Sequence, residues 1–175
     1  MLTRLLIFLI ATTTCLAQQD WRVKLKQELP LLGHRNWIAI VDSAYPLQTS
    51  PGIETVETYM DQTTLLKEVL AMLQGAPHVA PTVYLDAELP YLQESEAKGV
   101  DQYRSQLKQS LMGYSPVSLP HEQIIAKLDD AGKTFHVLIL KTRLTVPYTS
   151  VFLQLDCAYW DAAAEKRLRV RMMKH

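Results

Sequence analysis

Residues 37–41 read WIAIV, a continuous apolar run of strand length that passes directly into the turn-forming stretch DSAYP. A strand with one wet face alternates apolar and polar side chains, so an unbroken run fits a strand covered on both faces. Helices must then lie above and below it, and the remaining sequence supplies them. DWRVKLKQELPLL carries apolar Trp21, Val23, Leu25, Leu29 and Leu32 and predicts a short helix that stops at Gly33. IETVETYM alternates with β-branched residues and reads as a strand. DQTTLLKEVLAML predicts a helix with Asp61 as N-cap and apolar residues at 65, 66, 69, 70 and 73.

APTVYLDAEL gives a further strand, and the polar stretch from Gln93 to Ser110 a helix with a wet face. SPVSLPHEQIIAKLDDAG holds a strand end, Ser118 as a candidate N-cap and a helix ended by Gly132. TFHVLILKTRL and TSVFLQLDCAYW are two closing strands separated by Pro147. Strands alternating with helices predict a layered α/β domain with a mostly parallel sheet. Ligands of such sheets sit outside the carboxyl ends of the strands, which is where Asp42 falls.

The chain of 175 residues suits one domain, and 48% hydrophobic with 21% charged residues is a globular composition. Eighteen basic residues balance eighteen acidic ones, so no global field favours nucleic acid or an anionic membrane surface. The first residues, MLTRLLIFLIATTTCLAQQ, have Arg4, an apolar run from Leu5 to Ala11 and small residues before Ala17. That is the pattern of a secretory signal peptide over residues 1–17, its apolar run far shorter than the roughly 20 residues of a membrane span. Export of the mature chain is the expectation. Cleavage after Ala17 removes Cys15 and leaves Cys157 as the single cysteine of the mature chain, read as a small buried apolar residue.

Strong chemical motifs are missing: the sequence has no phosphate-binding glycine loop, no nucleotide fingerprint, no G-x-S-x-G, no H-E-x-x-H and no paired-cysteine metal pattern. What is left is a set of polar groups in apolar or loop settings, His34, Asp42, His121 and the Tyr148-Thr149-Ser150 run, able to transfer protons and form hydrogen bonds without a cofactor. Each has a plain structural reading too. His34 would cap the first helix against its dipole, Asp42 would be a turn residue, His121 a first-turn residue that the dipole tends to keep neutral, and Tyr148 would pack beside Pro147. His78 and His136 are assigned no role, His136 being taken as a satisfied histidine inside a strand. A two-histidine, one-carboxylate metal site of His34, Asp42 and His121 is a further alternative.

Taken in order, LGHRNWIAIVDSAYP, PHEQI at 120–124 and PYTSVFLQ at 147–154 resemble the D-ribose pyranase and L-fucose mutarotase family, its ribose pyranase branch in particular. The similarity spans roughly residues 20–157, within a domain bounded at 18–157 and followed by an extension over 158–175. It implies a three-layer α/β sandwich whose mostly parallel mixed sheet is flanked by helices. It also implies a homo-oligomer with sites near subunit interfaces, and interconversion of ring or anomeric forms of a free monosaccharide, ribose- or fucose-like, with no metal or other cofactor. Carried over by the resemblance, His34 is the proton donor, and Asp42, His121 and Tyr148, with Thr149 and Ser150 beside it, bind the sugar. Two positions depart from the family pattern: Ser150 stands for an asparagine, and Arg143-Leu144 for Gly-Glu. These departures motivate a non-catalytic sugar-binding or scaffold protein as the alternative.

Overall fold

A computed structural model describes residues 20–174. The signal-peptide reading of residues 1–17 lies outside these described residues. Five α-helices and six strands follow in order among the described residues: α1 (Trp21–Glu28), β1 (Trp37–Val41), β2 (Ile53–Glu57), α2 (Gln62–Gln74), β3 (Val79–Asp86), α3 (Val100–Ser110), β4 (Val117–Leu119), α4 (His121–Ala131), β5 (Val137–Lys141), β6 (Val151–Cys157) and α5 (Ala162–Met172), with one 3-10 turn, Leu89–Tyr91, after β3. The six strands form one sheet in the order β2-β5-β1-β6-β3-β4. β5 pairs in parallel with both β1 and β2, and β3 with β4, whereas β6 is antiparallel to both its neighbours. One strand therefore runs against the other five, which makes the sheet mixed and mostly parallel.

Alternation along β1 and β5 explains the layers. Ile38, Ile40, Leu138 and Leu140 join one core with Trp21 and Leu25 of α1, Leu65 and Leu66 of α2 and Val100 and Leu107 of α3. Trp37, Ala39, Val41, Val137 and Ile139 face the other way and pack with Ile124 and Leu128 of α4. All five residues of β1 are buried, as the unbroken apolar run requires. The result is a three-layer sandwich with α1–α3 on one face and α4 on the other. In α2, the Asp61 carboxylate accepts a hydrogen bond from the Thr64 N–H at 2.9 Å, and all five predicted apolar positions are buried.

Several boundaries differ from the sequence expectation. α1 ends at Glu28 and not at Gly33, because Pro30 has no N–H to donate to the carbonyl one turn back. His34 consequently lies well past the helix end and caps nothing. Ser118 is not an N-cap: it sits in β4, paired with Leu85 of β3, and Pro120 precedes α4 with no side chain able to accept. The cap comes from far away in sequence, since the Glu88 carboxylate accepts the His121 N–H at 3.0 and 3.1 Å. The helix expected over residues 93–110 starts only at Val100, after Gly99 at φ 91°. His136 lies just before β5, half-buried, not inside a strand, and Cys157 is half-buried at the sheet rim, not buried. The extension contains α5, an unexpected helix with no buried residue.

Candidate functional site

The carboxyl ends of β1 and β5 and the start of β6 meet the first turn of α4 around one pocket. Asp42, Ala44 and Tyr45 line it from the loop after β1, His121 from α4, and Pro147 and Tyr148 from the loop before β6. Its volume of about 450 Å³ falls among small-molecule sites. The position is the one that the strand directions favour for a ligand.

Each lining group is held by local structure. The Asp42 carboxylate accepts the Ala44 N–H at 2.8 Å, an Asx turn that fixes the loop, and its second oxygen lies 3.5 Å from the Ser150 hydroxyl. Tyr45 is buried, its hydroxyl donating to Gln48 at 3.2 Å, and burial holds its ionisation well above the ordinary tyrosine value. Tyr148 sits at φ 55°, a left-handed conformation that a bulky side chain adopts at a cost. Its ring meets the His121 ring edge to face, with centroids 5.6 Å apart. Thr149 pins that loop from below: its hydroxyl donates to the Val146 carbonyl at 2.7 Å, and its own carbonyl accepts from Gln62 and from the Tyr103 hydroxyl. Thr149 and Ser150 are both buried and do not line the pocket.

Behind His121 stands Asp86, the last residue of β3, a residue that the sequence reading left without a role. Its carboxylate oxygen is 3.1 Å from His121 Nδ1, and its side chain is 0% exposed. The other oxygen, Oδ2, is buried with no hydrogen-bond partner among the described residues. Burial pushes the Asp86 carboxyl up to about 6, opposed by His121 and assisted by the negative charges of Glu88 and Asp42. An aspartate at the carboxyl end of a strand was the signal that singled out Asp42, and it applies equally to Asp86.

His34 lies elsewhere. It precedes β1 while Asp42 follows it, so about 17 Å of extended chain separates them. Its Nδ1 is 2.6 Å from the Asp156 carboxylate near the end of β6, and both side chains are 57% exposed. One chain thus gathers Asp42, His121 and Tyr148 and holds His34 apart. The same separation means that His34, Asp42 and His121 cannot ligate one ion within a chain. Among the described residues, the cluster nearest to metal geometry is Glu28, Glu54 and His136, and there the Lys24 ammonium already lies 2.8 and 2.7 Å from the two glutamates.

No family model matches the chain, and no curated protein does. Solved structures do. RbsD from Bacillus subtilis, complexed with D-ribose, superposes with a TM-score of 0.50 at 20% identity, covering 76% of this chain and 91% of its own. FucU from Bifidobacterium longum gives a TM-score of 0.50 at 19% identity, covering 77% of this chain and 94% of its own. At such identities the likeness establishes the shared α/β fold.

Proposed function

We propose that the chain is a monosaccharide isomerase that interconverts ring or anomeric forms of a free aldose by acid/base catalysis alone. The observation that carries this is the convergence of Asp42, His121 and Tyr148 on one pocket at the carboxyl ends of the strands. The likeness in fold to a protein complexed with D-ribose supports a ribose-like sugar, and the motif resemblance a ribose- or fucose-like one. Asp42 accepts hydrogen bonds from sugar hydroxyls, His121 bonds a further hydroxyl, and Tyr148 offers a hydroxyl and a ring face. His34 acts from a neighbouring copy, in a homo-oligomer whose sites lie near subunit interfaces. Its Nδ1 is engaged by Asp156, which leaves Nε2 to face the sugar.

The reaction needs only protons. His34 protonates the ring oxygen, the anomeric hydroxyl gives its proton to an acceptor in the pocket, and the C–O bond breaks to give the open-chain aldehyde. Rotation and reclosure on either face, or by another hydroxyl, give the isomer and return both protons. Groups so placed supply about 10²–10⁴-fold. The Arg4 and Leu5–Ala11 pattern supports export before this activity is exercised, and no helix among the described residues is long and apolar enough to cross a membrane.

NMR exchange spectroscopy on D-ribose, L-fucose and related free aldoses tests the proposal. Faster ring or anomeric exchange, lost in His34→Ala, is the expected result; no acceleration with any sugar at neutral pH refutes catalysis. A second reading, a sugar-binding protein without turnover, is favoured by Ser150, which is buried at a position the resembled family fills with a longer amide. Saturable binding without exchange enhancement selects it.

A further inference from the structure

The buried carboxylate behind His121 has no role in the reaction just described. Its surroundings are costly: the side chain is fully buried, and Oδ2 has no hydrogen-bond partner among the described residues. Desolvating a carboxylate without satisfying both oxygens is unfavourable, so its retention here points to a role for the oxygen that is bonded. Its one side-chain bond is to His121 Nδ1 at 3.1 Å. The histidine is fixed on its other sides too. Its backbone N–H is held by Glu88, and its ring rests edge to face on Tyr148.

We propose that Asp86 is a positioning residue that sets the tautomer of His121, keeping the hydrogen on Nδ1 and leaving Nε2 as a hydrogen-bond acceptor for a ligand hydroxyl. An ionised carboxylate can only accept, so a neutral ring facing it must carry its hydrogen on Nδ1. The bare Nε2 then belongs to the pocket. This rests on the reading of the pocket as a sugar site, and it makes a narrower demand on the ligand: the hydroxyl opposite His121 must donate. Asp42, a carboxylate, also only accepts. Two acceptors on one side of the pocket select a sugar that presents two donating hydroxyls there.

The groups facing Asp86 are His121 on α4, Glu88 after β3, Asp42 after β1, and the buried Tyr45 and Tyr103 hydroxyls, whose ionisation Asp86 opposes. Protonation of Asp86, whose carboxyl is pushed up to about 6, turns the acceptor into a donor and removes the constraint. Ligand affinity therefore weakens as pH falls through 6.

Nitrogen-15 NMR of the free, full-length protein reads the tautomer directly, with D-ribose titration as the companion measurement. At pH 7.5 His121 should carry its hydrogen on Nδ1, the minor form of histidine in water. Asp86→Ala should return the ring to the Nε2–H form and weaken D-ribose binding by about tenfold to a hundredfold. Asp86→Asn can donate its amide N–H to Nδ1, so it too should move the ring toward the Nε2–H form and weaken D-ribose binding while preserving the shape of the side chain. Hydrogen on Nε2 in the wild type, or an unchanged tautomer in Asp86→Ala, overturns the proposal whether or not any sugar binds. The expected tautomers with no sugar bound remove the sugar reading and leave the role of Asp86 toward His121 standing.

Discussion

Asp86 also ties stability to pH. Its folded carboxyl titrates at about 6 against 3.8 for the ordinary group, so between these values the folded chain binds more protons than the unfolded one. Stability therefore falls as pH rises from 4 to 6 and stays lower above that window. The whole shift corresponds to about 3 kcal/mol, of which about 2 kcal/mol falls between pH 4 and pH 7.5. Asp86→Asn has no such charge, so it should gain on the wild type by about that amount between pH 4 and pH 7.5, measured by urea unfolding at both values. Equal differences at the two pH values would show that Asp86 titrates normally. His34 and Asp156 form a contrasting pair, both well exposed, and their contact adds little to stability.

The setting of α4 depends on two glycines that the sequence shows only as turn residues. A Cβ on Gly52 would lie 2.3 Å from the Phe135 carbonyl oxygen and 2.5 Å from that of Gly132, and one on Gly132 would lie 2.4 Å from Ile53 Cγ1. The close approach lets the start of β2 lock the end of α4 through the Gly52 N–H bond to the Gly132 carbonyl at 3.0 Å. Gly52→Ala should destabilise the fold by about 1–3 kcal/mol in urea unfolding, since both obstructions are backbone atoms. The strands and α2 were legible because their signals are local: an apolar run, alternation, and an aspartate three residues before the N–H it caps. The end of α1 was misjudged where a proline outweighed the periodicity, and the start of α4 because its cap, Glu88, arrives through β3–β4 pairing. Asp42, His121 and Tyr148 could be picked out from their motifs. Asp86 could not be joined to His121, because only the sheet brings residues so far apart in sequence into contact.

The whole chain holds its candidate groups in two places, and the proposed function demands that copies combine. Mixing subunits of His34→Ala with subunits of Asp42→Asn, each inactive alone, should restore exchange at about one quarter of the sites after random reassembly of equal amounts. Recovery is read by the same NMR exchange measurement, and none after verified subunit mixing would place both residues in one subunit's site or neither in any. The antiparallel β6 links the two places, starting beside Tyr148 and reaching Asp156 six residues after Ser150.

In the proposed assembly β1 would act as a spacer of fixed pitch between the two places. In a head-to-tail assembly each added copy fills the pocket of one neighbour and opens a new pocket for the next. An open row of any length ends with one idle pocket and one idle histidine, whereas a closed cycle leaves none.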